Sequence, residues 1–176
     1  MAFTPFTYAF TLEAKQWTYS MITRNADAIL YHLDQGIPWQ EVYSKKPYPG
    51  KVENEITNKI RDKPIDNKLI LMASPLNGDR TDLAGYWNTE SHEPRPAIFK
   101  DKTFNDKIII DTYIEYCRQI IDRFQPTYFI YAVEVNVLRK QSPDKWQAFT
   151  ELCAQTYTAL KKEYPDLPIS VSIQLD

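Results

Sequence analysis

Apolar segments with the composition of β-strands alternate with amphipathic, helix-like segments along this 176-residue chain. The segment 68–73 is almost continuously apolar, as expected for a strand that is covered on both faces. Between 109 and 124, apolar residues recur every three or four positions, which predicts a helix with one buried stripe. The strands are predicted at 3–10, 28–33, 68–73, 128–135 and 169–175, and the helices at 12–25, 52–61, 109–124 and from Pro143 onward.

This alternation predicts an α/β fold with a parallel sheet, because each helix would be the crossover between two parallel strands. Residues 1–176 are interpreted as a single domain, in keeping with their number. Two architectures fit the pattern. One is an incomplete (β/α)8 TIM barrel of about five parallel strands and four helices, and the other is a five-stranded, doubly wound, flavodoxin-like sheet. In both, functional side chains are expected where the strands end.

The glycine content excludes two large classes of nucleotide-binding protein. The four glycines are Gly36, Gly50, Gly78 and Gly85, and the closest two are seven positions apart. Neither G-x-G-x-x-G nor G-x-x-x-x-G-K-[ST] is therefore present. The net charge of −2 gives no electrostatic reason to expect nucleic acid or an anionic membrane as a partner. No run approaches the ~20 apolar residues that span a bilayer, and no metal site or cofactor is predicted.

Polar residues interrupt the apolar pattern near the predicted carboxyl ends of the strands. Glu134 follows a run of aromatic and aliphatic residues, where an ionised carboxylate is costly unless it is paired or used. A partly desolvated carboxyl group suits a general acid, and the structural alternative is an ion pair with a neighbouring arginine. The strand-end residues are Thr7, Tyr8, His32, Asp34, Ser74, Asn77, Arg80, Glu134, Asn136, Gln174 and Asp176.

Four of these candidates form two pairs whose members are two positions apart along the chain. Asn136 is two positions after Glu134, hence on the same side if the strand continues, where it would position a sugar hydroxyl or cap the loop. His32 and Asp34 are also two positions apart, so both side chains would point into the same cleft. An equal alternative for His32 is a structural role in the core, with its ring nitrogens hydrogen-bonded within the protein.

Two further candidates lie in loops. Trp39 would be a stacking platform for a sugar ring, or would pack against its surroundings. The stretch 74–102 is long and irregular, and a loop of that length in a compact domain is usually functional. Within it, Asn77 is placed in the sugar cleft, whereas Arg80 is interpreted as an ion-paired or solvated residue rather than a substrate clamp.

The segment 126–136, Pro-Thr-Tyr-Phe-Ile-Tyr-Ala-Val-Glu-Val-Asn, precedes a Trp-bearing helix and the strand-like Leu-Pro-Ile-Ser-Val-Ser at 167–172. Together they resemble the fourth strand, fourth helix and fifth strand of clan-A retaining glycoside hydrolases, and within them the arabinogalactan endo-β-1,4-galactanase type of TIM barrel. Segments 3–8 and 31–39 resemble early strands of glycosidase-like bacterial proteins. In that family the fourth strand ends in an Asn-Glu pair, and Glu134 falls on the acid/base position. Val133 stands where the family has the asparagine.

The resemblance implies a glycoside hydrolase-like protein that acts on or binds a β-linked saccharide. Glu134 would be the acid/base, and His32, Asp34, Trp39, Asn77 and Asn136 would bind the sugar. The family's nucleophile lies on the seventh strand, beyond the five strands predicted here, so this chain alone is expected to lack efficient hydrolysis. The alternative is a non-catalytic module that binds a saccharide or another small ligand. The resemblance implies an extracellular or periplasmic protein, whereas no signal-peptide pattern is present, so its location stays open.

The predicted edge strands suggest self-association. An incomplete barrel would leave the first and fifth strands unpaired, and both are rich in apolar or aromatic residues. Unpaired edges of this kind are templates for pairing with another chain. A homodimer joined through these edges is therefore expected if the barrel is incomplete, and a doubly wound sheet would not need one.

Overall fold

The computed structural model describes residues 1–175, which form a parallel sheet with helices packed against it. Two short 3-10 turns, Ala97–Phe99 and Pro143–Lys145, add to the elements named next. In chain order these are β1 (Ala2–Phe3), α1 (Leu12–Asn25), β2 (Ala28–Leu33), α2 (Trp39–Ser44), α3 (Gly50–Asp62), β3 (Lys68–Ala73), α4 (Lys107–Phe124), β4 (Tyr128–Ala132), α5 (Val135–Gln141), α6 (Trp146–Glu163) and β5 (Ile169–Val171).

The sheet is all-parallel, and its strand order β1-β2-β3-β4-β5 follows the chain. The α/β prediction with about five parallel strands is therefore confirmed. The flavodoxin-like alternative is wrong, because that fold begins in the middle of its sheet and reverses direction, with the order 2-1-3-4-5. A sheet that grows in one direction through right-handed crossovers carries all its connecting helices on one face.

The two faces of the sheet differ in burial, as this topology requires. Ile29, Leu71 and Phe129 alternate onto the helix-covered face and are fully buried in the main core with residues of α1, α3, α4 and α6. Leu30 and Ile70, which are aligned across β2 and β3, lie on the opposite face and are only half-buried. One face of the sheet thus lies outside the main core.

The central elements match their predicted bounds, and the edge strands do not. The bounds of α1, β2 and β3 agree with the sequence pattern. The first strand is wrong beyond Phe3, because Pro5 has no N–H for the sheet and Phe6 N donates to Thr4 O instead. β4 ends at Ala132 and β5 ends at Val171, both earlier than predicted.

The helices number six within the described residues rather than four. The additional ones are α2, which begins in the predicted loop at Trp39, and α5, which replaces the predicted end of the fourth strand. The apolar stripe of α4 is buried as its periodicity predicts. In the part of the chain that the structure describes, no helix is both long and apolar enough to cross a membrane.

Candidate functional site

A cluster of charged side chains lies at the carboxyl ends of β2, β3 and β4, and its centre is Arg80. The Arg80 side chain is only 7% exposed. Its Nε donates to Glu134 Oε2 at 3.1 Å, and its Nη1 donates to Asp34 Oδ1 at 3.1 Å. The same Nη1 also donates to the backbone carbonyl of Asn77 at 2.8 Å. We call Arg80, Asp34, Glu134 and the adjacent His32 the Arg80 cluster.

His32 is the neutral member of this cluster. Its Nε2 is 3.5 Å from Asp34 Oδ1, and this buried nitrogen has no hydrogen-bond partner among the described residues. Burial lowers the pKa of His32 and outweighs the opposing attraction of Asp34, and the nearby Arg80 guanidinium lowers the pKa further. The imidazole is therefore uncharged at pH 7, since its ordinary pKa is about 6.5.

Both partners of the Arg80–Glu134 ion pair have left-handed backbone conformations. Arg80 has φ 59° and Glu134 has φ 54°, values that cost a residue with a Cβ about 1–2 kcal/mol each. Lys45 and Gln125 share this conformation, but they end helices α2 and α4, where it is common. Strained backbone that the surrounding structure enforces concentrates at functional sites, and here it turns two opposite charges toward each other.

Glu134 is held by the end of the neighbouring strand. Its backbone N–H donates to Ser172 Oγ at 3.0 Å, and Ser172 N donates to Ala132 O at 2.9 Å. Ser74, just after β3, accepts from Val133 N at 3.4 Å and from Leu76 N at 3.2 Å. These bonds satisfy backbone groups that the left-handed turn removes from the sheet, so the direction of the Glu134 side chain is fixed from both neighbours.

Asn77 shapes the loop that carries Arg80. Its Oδ1 accepts from Thr81 N at 2.8 Å and from Asp82 N at 3.1 Å, and its own N–H donates to Asp82 O at 2.8 Å. Asn77 thus reaches the Arg80 cluster through its backbone carbonyl, while its side chain is used within the loop. Its predicted role as a direct sugar ligand has no support from these contacts.

The loop is anchored to the segment after β2 by a close approach of two glycines. Ile37 N donates to Gly85 O at 3.0 Å, and Gly36 has φ 108°. A Cβ at Gly36 would lie 2.6 Å from Gly85 O, so no other residue fits without a shift of the backbone. This contact fixes the part of the loop beyond Arg80 to the β2 side of the site.

Trp39 and Asn136 do not belong to the cluster. Trp39 is completely buried, donates from Nε1 to Ala84 O at 3.0 Å and packs on Phe99, so it offers no ring face to a sugar. Asn136 lies in α5 rather than on a strand with Glu134, because the chain turns at Glu134. Its side chain exchanges two hydrogen bonds with the backbone of Gln174, at 2.8 and 2.9 Å.

The structure thus brings together His32, Asp34 and Glu134 from the predicted set, and it adds Arg80 as the centre. The sequence pattern predicts an ion-paired or solvated Arg80 and, as one alternative for Glu134, an arginine partner. In the structure these two residues pair with each other. Thr7 and Tyr8 lie in the irregular segment after β1, and Asp176 lies outside the described residues. No group of three or more His, Cys, Asp or Glu side chains within 1–175 is arranged to hold a metal ion.

The Arg80 cluster presents hydrogen-bond acceptors to solvent. The Asp34 and Glu134 side chains are each 38% exposed, and Arg80 engages only one oxygen of each. The guanidinium fixes both carboxylates without covering them. No protein-family model matches this chain, and no curated protein matches it either.

Proposed function

We propose that the Arg80 cluster is a saccharide-binding site in a glycoside hydrolase-like protein. The observation that carries this proposal is the convergence of two half-exposed carboxylates, Asp34 and Glu134, on one buried guanidinium at the carboxyl ends of parallel strands. Carboxylate oxygens accept hydrogen bonds from sugar hydroxyls, and ligand sites of parallel α/β proteins lie at this end of the sheet.

The strand order supports the barrel that the family resemblance implies. A (β/α)8 barrel adds parallel strands in chain order, with its helices outside and a layer of side chains inside. The order β1 to β5 and the half-buried face with Leu30 and Ile70 are what the first part of such a barrel would have. In that architecture Glu134 occupies the mouth of the fourth strand.

Calorimetric titration with β-1,4-galactotetraose tests the binding proposal. We expect Glu134→Gln and Asp34→Asn each to weaken binding at least tenfold, because each removes a charged acceptor that Arg80 positions. Glu163→Gln is the matched control, since Glu163 also pairs with an arginine, Arg118, but lies at the end of α6. Equal loss of binding in the control, or no binding of any β-linked oligosaccharide by the wild type, would refute the proposal.

Hydrolysis is a second candidate function, and the pairing of two carboxylates favours it. Retaining glycosidases use one carboxyl group as acid/base and a second, about 5–5.5 Å away, as nucleophile. The family resemblance implies that Glu134 is the acid/base. Asp34 is the second carboxylate that accepts a hydrogen bond from the Arg80 guanidinium.

An assay on aryl β-glycosides and β-1,4-galactan distinguishes hydrolysis from binding alone. If Asp34 acts as nucleophile, Asp34→Asn and Asp34→Gly both abolish turnover, and azide added to Asp34→Gly gives a glycosyl azide of inverted anomeric configuration. Rescue of an acid/base variant would instead give the azide of retained configuration. Binding without turnover by the wild type assigns the chain to the non-catalytic alternative.

A further inference from the structure

The charge of the Arg80 cluster constrains the saccharides that suit it. Asp34 and Glu134 contribute two negative charges and Arg80 one positive charge, and His32 is neutral at pH 7 because burial lowers its pKa. Two lysines lie nearby. Lys145, in the 3-10 turn before α6, pairs with Asp82 at 3.0 Å, and Lys59 of α3 pairs with Glu55 at 3.7 Å, so both are already neutralised. The cluster therefore carries a net charge of about −1.

The carboxylate oxygens that Arg80 leaves unused are hydrogen-bond acceptors, which agrees with the negative net charge of the cluster. Within the described residues, no hydrogen bond reaches Oε1 of Glu134 or Oδ2 of Asp34, because Arg80 binds the other oxygen of each group. The Arg80 Nε and Nη1 hydrogens are used by Glu134, Asp34 and the Asn77 carbonyl. Nη2 has no hydrogen-bond partner among the described residues, but it belongs to a side chain that is only 7% exposed, whereas each carboxylate is 38% exposed. What the carboxylates offer a ligand is therefore two charged acceptors, and the groups that complement them are donors.

We propose that this site selects saccharides that carry an ammonium group, accepts neutral saccharides less well, and rejects uronic acids. This inference rests on the proposed saccharide-binding function and specifies its ligand class. An ammonium group donates charge-assisted hydrogen bonds, which are about twice as strong as those of a neutral hydroxyl. A uronate would place a third carboxylate beside Asp34 and Glu134, and such like-charge contacts are a general means of rejecting the wrong ligand.

Three methyl β-galactosides that differ only at C6 test this inference. They carry an aminomethyl, a hydroxymethyl or a carboxylate group there, and a matching gluco series controls for the sugar configuration. Nuclear magnetic resonance titration of the whole chain at pH 7 gives each dissociation constant. We expect the 6-amino sugar to bind at least fivefold more tightly than the neutral sugar, and the uronate to bind more weakly still. Raising the salt concentration to 0.5 M should reduce the spread.

Two variants test whether the charge of the Arg80 cluster causes this selectivity. Asp34→Asn and Glu134→Gln each bring its net charge to about zero, so the preference for the 6-amino sugar should fall below twofold in either. Asp66→Asn is the matched control, because Asp66 is exposed in the loop before β3, at the other end of the strand. Circular dichroism establishes that each variant is folded.

The outcomes separate this inference from the function on which it rests. Equal binding of the amino and neutral sugars, or tighter binding of the uronate, would overturn the charge selectivity and leave the saccharide site intact. Binding of none of the six sugars, together with none of β-1,4-galactotetraose, would overturn both. A preference for the amino sugar that survives in Asp34→Asn and in Glu134→Gln would show that other residues recognise the ammonium group, and would overturn the assignment.

Discussion

Arg80 determines the orientation of the Glu134 and Asp34 carboxylates. A carboxylate at the end of an apolar strand must be paired or hydrated, and here a single buried guanidinium pairs two of them while leaving each partly exposed. This arrangement keeps the carboxylates oriented in the absence of ligand, so little side-chain entropy is lost on binding. His32 is the neighbour whose charge changes in acidic solution, because burial lowers its pKa below the ordinary value, and it therefore links the cluster to pH.

The lowered pKa of His32 predicts a pH dependence of stability. The unfolded chain binds a proton at His32 more readily than the folded chain does, so the free energy of unfolding falls as pH drops below about 6.5. Urea unfolding at pH 6.5 and 5.5 should show a loss in the wild type that His32→Gln reduces by at most about 1.4 kcal/mol. Groups whose pKa is lowered in the carboxylate range, such as Asp62 and Glu93, lose their contribution only at lower pH.

His92 provides the control for this experiment, because it is the other of the two histidines in the chain and its side chain is exposed. His92→Asn keeps a residue that tolerates the left-handed backbone found there, φ 58°. An identical pH dependence in the wild type and in His32→Gln would contradict the burial of a neutral imidazole at this position.

The helix ends explain why β4 is short and where the site begins. Glu134, in the left-handed region, ends the strand and starts α5, while Gln125 in the same region ends α4 just before Pro126. The Gln125 N–H donates to Ile121 O, which closes the last turn of the helix. β4 and the acid group at its end are therefore framed by two left-handed residues nine positions apart.

Gln125→Gly is expected to stabilise the protein by about 1 kcal/mol, because glycine adopts the left-handed conformation without the Cβ penalty. Gln155→Gly is the matched control, because Gln155 is exposed in the middle of α6, where the same replacement should destabilise by a similar amount. Guanidinium unfolding curves measure both changes. A destabilised Gln125→Gly would mean that the unfolded-state entropy of glycine outweighs the relief of strain.

The sheet has two edge strands and one face outside the main core, whereas a closed barrel has no edge strands. Within residues 1–175, β1 and β5 each pair on one side only, and the face with Leu30 and Ile70 lies outside the main core. Large apolar side chains are exposed around both edges, including Phe3, Phe6 and Val171. All-parallel sheets occur almost only with both faces covered, so this arrangement favours further association.

We propose that two copies associate through these edges at micromolar concentration. Light scattering coupled to size exclusion should give a dimer, and Val171→Lys on β5 should dissociate it, because a charged edge residue opposes strand pairing. Lys162→Ala on the outer side of α6 is a control that should leave the dimer intact. A monomer that unfolds cooperatively and binds no hydrophobic dye would exclude edge association.

Local patterns of apolar residues are enough to predict several elements of this fold. The periodicity of 109–124 predicts α4 because its apolar stripe must be buried, and the continuous apolar run 68–73 predicts β3 because both sides of a central strand are covered. Those patterns act over a few neighbouring residues. They also indicated Glu134 as a site residue, since a carboxylate at the end of an apolar strand is an anomaly that needs a partner.

The strand order and the partner of Glu134 depend on long-range packing, which no local pattern reveals. The order β1 to β5 depends on crossovers that span tens of residues, and the two architectures compatible with the sequence share one local pattern. Arg80 lies 54 positions from Glu134 and 46 from Asp34, in a loop without periodicity. Its place in the site follows from backbone turns and from the contact of Gly36 with Gly85, which are long-range packing effects with no local signature. For Trp39 the sequence allows a stacking platform or packing against its surroundings, and tertiary structure selects packing, because burial under the loop rather than aromatic character determines whether a ring can meet a ligand.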